Sequence, residues 1–217
     1  GSFEFNARGF PNPTKMLDEL HSMGFKVMVW VSPFVSPDST VYRELARQKL
    51  LVKSGTKGAV ALVEWWNGFS AVLDFLNPAA VEWFRAKLDS LCGLGVDGFK
   101  FDGGDPAFYP SHGHEHCSAF ANVGLKYDMA EYRACWKNAG MHLVQRLCDK
   151  SHAWDASGLA SLVPNGLAQG LAGYAFTCPD MIGGGNYADF VVEGTLEPRP
   201  DFELDQELFV RMAQVSA

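Results

Sequence analysis

Short amphipathic segments alternate along this chain with short segments that are almost wholly apolar. Between residues 16 and 23 apolar side chains recur at helical spacing, Gly24 follows, and an apolar run occupies residues 25–31. A helix, a glycine and a buried strand in succession are typical of an α/β protein with a parallel sheet. The pattern therefore predicts a helix over residues 16–23 and a strand over residues 25–31.

The alternation continues to the end of the chain. It predicts helices at residues 38–49, 79–91, 158–173 and 204–216, and strands at residues 59–65, 98–102, 142–147 and 174–178. Residues 55–58 predict a turn, and residues 126–137 are ambiguous between helix and strand. Residues 106–123 contain Gly, Ser and His and are predicted to form a long loop, which makes them a candidate functional segment.

Several predicted strands end in a polar side chain. Asp102, Asp149 and Asp180 follow three of them, and Ser32 follows the first. Parallel strands carry their sites at their carboxyl ends in a (β/α)8 barrel, and open doubly wound sheets bind ligands there too. A barrel is preferred because no GxGxxG or GxxxxGK[ST] phosphate loop is present. The predicted fold class is therefore α/β, a (β/α)8 barrel of the TIM type.

Composition and charge narrow the possible partners. With 217 residues, 47% of them hydrophobic, the chain can bury a sizeable core, and we expect a single domain over residues 1–217. Its 18 basic and 25 acidic residues give a net charge of -7, which disfavours a nucleic-acid partner and favours a neutral or weakly charged small substrate. No apolar run approaches the roughly 20 residues that span a bilayer, and no signal peptide is recognisable.

The cysteines indicate neither a disulfide framework nor a zinc site. There are five of them, an odd number, and none is spaced as CxxC. Free thiols are typical of a reducing compartment, although this pattern leaves both the cytoplasm and the secretory pathway open. We expect no cofactor, and the sequence leaves the oligomeric state open.

The segment around Asp102 is the strongest candidate for chemistry. A short aromatic strand ends in this acid, and the glycine pair Gly103 and Gly104 follows. Because side chains alternate along a strand, Lys100 and Asp102 share one face. From these residues alone, a functional site and a chance pair of charges near a strand end are equally good interpretations.

Residues 99–105, FKFDGGD, resemble the nucleophile motif of glycoside hydrolase family 31, in the branch with Lys-x-Asp in place of Trp-x-Asp. Similar motifs follow the family order at residues 66–68 with 73–78, 145–154 and 173–184. The resemblance implies a barrel that lacks its first strands and its last strand, so the chain is expected to be a catalytic-barrel fragment whose activity by itself stays open. Only 47 residues separate Asp102 from Asp149, which suggests that one barrel helix is missing.

The resemblance also assigns the site. It implies a retaining α-glycosidase with Asp102 as the nucleophile and Asp149 as the general acid/base. Arg133, sixteen residues before Asp149, is implied to contact the sugar at the end of a short strand, and Asp180 is implied to line or support the same subsite. Lys100 resembles the branch that includes α-galactosidases, so α-galactosides are preferred over α-glucosides, while the same branch also holds enzymes for acidic sugars.

The chemistry fits these residue types. Retaining hydrolysis needs two carboxyl groups about 5–5.5 Å apart, one to attack the anomeric carbon and one to protonate the leaving oxygen. Lys100 offers a positive charge to an ionised nucleophile, whereas Asp149 should lie where charge is poorly solvated. Trp65 and Trp66 are candidates for stacking on a sugar, with the hydrophobic core as the alternative.

Two other functions stay open. His112, His114 and His116 alternate, so on an extended strand they would face one side and could bind a metal with Asp102 or Asp105, as in a metal-dependent hydrolase. Solvent-exposed loop histidines are the alternative interpretation. A sugar-binding barrel without catalysis is the remaining possibility.

Overall fold

A computed structural model of the chain describes residues 2–55, 58–192, 195 and 197–217. The predicted turn at residues 55–58 includes two positions outside the described residues. The chain divides into two compact units, Gly1–Asn138 and Ala139–Ala217. The single domain over residues 1–217 stays a prediction.

The first unit contains alternating helices and strands. Its helices are α1 (Pro13–Ser22), α2 (Thr40–Gln48), α3 (Pro78–Cys92) and α4 (Gly113–Gly124), with a 3₁₀ turn at Pro106–Phe108. Its strands are β1 (Met28–Val31), β2 (Phe34–Val35), β3 (Lys53–Ser54), β4 (Ala59–Val60), β5 (Val63–Trp65), β6 (Gly68–Val72), β7 (Gly98–Phe101) and β8 (Met129–Tyr132).

Three parallel strands, β1, β7 and β8, form the sheet that the acidic strand end belongs to. A helix precedes each of them, in the order α1, α3 and α4, as in a (β/α) barrel. Asn12 and Asn77 cap α1 and α3 by accepting hydrogen bonds from backbone N–H groups of the first turn. The alternation that was predicted from apolar spacing is therefore confirmed for this sheet.

One face of this sheet is wholly apolar. Phe99 and Phe101 are buried, and Phe101 stacks on Tyr132 of β8 with ring centroids 5.0 Å apart. Phe120 of α4 meets Phe101 at 5.4 Å, so the helix covers this face. The opposite face carries the charged side chains of Lys100 and Glu131.

The predicted loop at residues 106–123 is wrong, because α4 occupies most of it. Polar and small residues in the sequence GHEHCSAF obscured a helical face that buries Cys117, Phe120 and Val123. Gly124 at its end lies so close to β8 that an added Cβ would be 2.1 Å from the Tyr132 hydroxyl oxygen. The glycine thus permits close packing of the helix on the sheet, which is a tertiary effect.

A second, antiparallel sheet follows the order β2, β6, β5. It packs Phe34 and Val72 against Val52, Ala61 and Tyr109 in a hydrophobic cluster. The strand predicted at residues 59–65 is two shorter strands, since β4 pairs with β3 and β5 pairs with β6.

The second unit contains β9 (Val144–Arg146), a 3₁₀ turn (Leu159–Ser161), α5 (Leu162–Leu171), β10 (Phe176–Cys178), α6 (Tyr187–Phe190) and α7 (Gln206–Ser216). Strands β9 and β10 are parallel and α5 connects them, which is the βαβ connection of an α/β fold. Leu147, Leu162, Leu208 and Met212 form its core. Pro164 is tolerated because it lies in the first turn of α5, where the backbone N–H groups lack helical partners.

The connection between β8 and β9 contains no helix. Residues 133–143 are all described, and they form bends and turns only. This agrees with the helix that was expected to be missing between Asp102 and Asp149. Among the described residues, no helix is long and apolar enough to cross a membrane.

Candidate active site

Five side chains share the polar face of the β1–β7–β8 sheet. Trp30, Lys100 and Glu131 are register partners on the three strands and therefore form one row across the face. Asp102 and Arg133 lie two residues beyond Lys100 and Glu131, so they point to the same face at the carboxyl ends of the strands. The structure thus brings together three candidate site residues, Lys100, Asp102 and Arg133, and adds Trp30 and Glu131.

Donors from β1 and from the following loop hold the Asp102 carboxylate. The indole Nε1 of Trp30 donates a hydrogen bond to Oδ2 at 2.7 Å, and the backbone N–H of Gly103 donates to Oδ1 at 3.0 Å. Its own backbone N–H donates to the carbonyl oxygen of Val31 at 2.9 Å, which fixes the strand end. Asp102 is therefore oriented by groups from β1 and from its own loop.

The loop after Asp102 requires glycine. Gly103 and Gly104 have φ angles of +69° and +75°, a region that disfavours other residues. Added Cβ atoms would lie 2.7 Å from the ring of Phe34 and 2.5 Å from the ring of Phe120, respectively. The glycine pair thus lets the chain turn away directly beyond the carboxylate while it stays packed on aromatic rings.

Lys100 forms an ion pair along its row. Its Nζ lies 3.7 Å from Oε1 of Glu131, and the two side chains are 34% and 23% exposed. We expected the Lys100 ammonium to place its positive charge beside the Asp102 carboxylate, but in the structure it forms an ion pair with Glu131.

Arg133 lies between a carboxylate and an indole. Its Nε is 3.2 Å from Oδ2 of Asp105, and its guanidinium carbon is 4.9 Å from the centre of the Trp66 ring. A cation over an indole face is attracted by the ring quadrupole, so both contacts fix the guanidinium in place.

The two candidate stacking tryptophans differ in their surroundings. Trp65 stacks on Phe34 with ring centroids 4.0 Å apart, and its Nε1 donates to Oγ of Ser70 at 3.1 Å. It therefore belongs to the hydrophobic cluster of the antiparallel sheet. Trp66 is 53% exposed and is the better-placed platform for a ligand.

In the second unit, Arg146 at the end of β9 links two of the predicted acids. Its Nη1 donates to Oδ1 of Asp149 at 2.7 Å and to Oδ1 of Asp180 at 2.9 Å. The side chains of Arg146 and Asp180 are only 3% and 1% exposed, whereas that of Asp149 is 43% exposed. Sequence reasoning missed Arg146, although its place at a strand end three residues before Asp149 was a usable signal.

Asp149 differs from the environment that a general acid was expected to have. A poorly solvated, protonated carboxyl group was predicted, but the side chain is substantially exposed and pairs with an arginine.

The three neighbouring histidines do not form the extended row on which the metal-dependent alternative rested. His112 directly precedes α4, while His114 and His116 lie within the helix. His116 is buried and stacks on Tyr109 at 4.5 Å, and burial lowers the pKa of its imidazole. No group of three or more His, Cys, Asp or Glu side chains among the described residues is placed to hold a metal ion.

Comparison with known proteins decides the family. Residues 1–150 match the TIM-barrel domain of the family described as glycosyl hydrolases family 31. The chain belongs to glycoside hydrolase family 31. A family 31 barrel also agrees with the parallel sheet and with polar residues at its carboxyl edge.

Relatives carry several glycosidase names. The chain is similar over its whole length to the myogenesis-regulating glycosidase of Mus musculus, at 34% identity and over 31% of that protein. An alpha-xylosidase of Emericella nidulans is 29% identical, over 83% of this chain and 25% of the relative. The chain therefore spans about a quarter to a third of the length of these relatives.

Solved structures share the fold. A family 31 sulfoquinovosidase from E. rectale, in complex with an aza-sugar inhibitor, superposes with a TM-score of 0.83 at 21% identity, over 99% of this chain and 34% of that one. A Flavobacterium johnsoniae dextranase of the family, complexed with glucose, gives 0.79 at 21% identity, over 99% of this chain and 30% of that one.

Proposed function

We propose that this family 31 chain belongs to a retaining α-glycosidase that hydrolyses terminal α-linked sugars. One observation carries the proposal: the Asp102 carboxylate stands at the carboxyl end of β7, oriented by Trp30 and with Arg133 on the same face. A fixed carboxylate at this edge of a barrel suits a nucleophile, because attack on the anomeric carbon requires alignment before the bond forms.

In the proposed reaction, an Asp102 oxygen attacks the anomeric carbon while Asp149 donates its proton to the leaving glycosidic oxygen. The carbon–oxygen bond to the aglycone breaks as the glycosyl ester with Asp102 forms. Asp149, now a carboxylate, then takes a proton from water, and the resulting attack releases the sugar and restores Asp102. Two inversions at the same carbon give net retention.

Three further side chains are proposed to bind the sugar, and a fourth to support the subsite. Arg133, held by Asp105 and Trp66, would contact hydroxyl groups of the glycone, and the exposed ring of Trp66 would cover one side of it. Asp180 is proposed to support the subsite through Arg146, since its side chain is buried. Lys100 supports an α-galactoside over an α-glucoside, because a polar side chain in this row can meet an axial hydroxyl group.

The test measures hydrolysis of the 4-nitrophenyl α-glycosides of galactose, glucose and xylose by the protein and by two variants. We expect Asp102→Asn to abolish turnover of every substrate. Asp149→Asn should lower kcat/KM by about 10²–10⁴-fold for a sugar aglycone and by less for nitrophenol, whose departure needs little protonation. Asp18→Asn, an exposed substitution of the same kind on α1, should have no effect.

The stereochemistry provides a second readout. Proton NMR of early product should show the α-anomer first if the mechanism is retaining. Initial release of the β-anomer, or full activity of Asp102→Asn, would refute the assignment.

A sugar-binding barrel without catalysis is the second candidate. The exposure of Asp149 and its ion pair with Arg146 favour it, because they differ from the poorly solvated setting expected of a general acid. It predicts that sugar binding survives both Asp102→Asn and Asp149→Asn, and that no substrate turns over.

A further inference from the structure

Both cationic side chains on the polar face already have an acidic partner. Lys100 pairs with Glu131 at 3.7 Å, and Arg133 pairs with Asp105 at 3.2 Å. Asp102 adds a third carboxylate, so these five described side chains are three acidic and two basic. A second negative group brought by a ligand would meet this excess of negative charge.

The pairs are partly withdrawn from water. The four paired side chains are between 21% and 34% exposed, in contrast to 72% and 62% for the surface pair of Lys15 with Glu19. Charges interact more strongly where solvent screening is reduced. The sign of the charge on a bound sugar should therefore matter at this face.

Glu131 is the acidic side chain that offsets the positive charge of Lys100. It lies in register with Lys100 on the neighbouring strand, so the sheet itself holds its carboxylate beside the ammonium. A ligand carboxylate or sulfonate that approached Lys100 would have to displace Glu131 and then lie next to it.

We propose that Glu131, by neutralising Lys100, restricts the glycone subsite to neutral sugars and excludes sugars that carry a carboxylate or sulfonate group. This inference rests on the proposed function, because it assumes that the polar face binds a sugar. It also selects between the neutral and acidic sugars that the sequence left open.

Binding rather than turnover tests it. D-galactose and D-galacturonate differ only at C6, where a hydroxymethyl group replaces the carboxylate, and D-glucose and D-glucuronate form a second matched pair. Dissociation constants are measured by ligand-observed NMR at pH 7 and low ionic strength. We expect the protein to bind the neutral member about tenfold more tightly or better, and added salt to narrow this difference.

Glu131→Gln should remove most of that preference while the protein keeps its melting temperature, because glutamine has nearly the same shape and leaves Lys100 charged. The matched control is Glu19→Gln, which breaks an ion pair of the same 3.7 Å length on the surface. It should leave the preference unchanged.

Several results would overturn the inference: equal or tighter binding of the uronates by the unsubstituted protein, a preference that salt does not alter, equal effects of the two variants, or no binding of any neutral sugar. Failure of the proposed function gives a different result. If the preference for neutral sugars depends on Glu131 but no sugar is hydrolysed, the proposed glycosidase activity is refuted and the role of Glu131 is not.

Discussion

Asp97, directly before β7, should contribute a measurable share of the stability of the first unit. Its Oδ2 accepts hydrogen bonds from the backbone N–H of Val27 at 2.7 Å and from Nε2 of His21 at 2.8 Å, and Nζ of Lys26 lies 3.0 Å from Oδ1. The carboxylate therefore ties α1 and the start of β1 to the start of β7. This is the amino-terminal edge of the strands, opposite the proposed site.

These contacts lower the pKa of Asp97 from 3.8 to about 2, with the Val27 N–H as the largest cause. Such a shift corresponds to about 2.4 kcal/mol of folding free energy at neutral pH. Because the side chain is 15% exposed and Lys26 is solvated, we expect about 1.5–2 kcal/mol. Since the folded pKa is the lower one, the contribution is complete above about pH 5 and is lost as the pH falls through about 2.

Asp97→Asn keeps an acceptor for the Val27 N–H but removes the negative charge. Urea unfolding, followed by tryptophan fluorescence at pH 7 and pH 3, should show a loss of about 1.5–2 kcal/mol at pH 7 and about half of that at pH 3. Asp18→Asn, on the exposed side of α1, is the control. A loss below about 0.5 kcal/mol at pH 7, or a loss that is independent of pH, would show that the charge of Asp97 does not stabilise the first unit.

Two further substitutions test the site residues that sequence reasoning missed. Trp30→Phe removes the hydrogen-bond donor to Asp102. It should lower kcat/KM by about tenfold to a hundredfold, the value of one hydrogen bond to a charged group, with little change in melting temperature. Trp83→Phe on α3 is the control, and equal kinetics for the two variants would contradict this prediction. Arg146→Met leaves the buried carboxylate of Asp180 without its counter-charge and should lower the free energy of unfolding in urea by about 3–5 kcal/mol. The control, Arg211→Met, breaks an exposed pair with Glu207 and should lower it by less than about 1 kcal/mol. Equal losses for the two arginines would show that Asp180 does not depend on Arg146.

Strong periodicity was enough to predict much of the fold. Helix α3 and strand β7 follow from apolar patterns that extend over their whole lengths, and Asn77 and Gly93 mark where α3 begins and ends. Helix α4 was missed because its buried face includes a histidine, a cysteine and glycines, and only packing against Phe101 and Tyr132 makes that face recognisable. The split of residues 59–65 into two strands was missed because their partners, β3 and β6, are set by tertiary pairing.

The site was predictable to the extent that alternation along one strand determines it. Lys100 and Asp102 share a face by parity, and so do Glu131 and Arg133, but parity within a strand does not say which residue lies beside which on the next strand. Register supplies that, and here it places Glu131 rather than Asp102 beside Lys100. Lys100 is therefore one half of an ion pair, and its partner Glu131 lies outside the motif around Asp102.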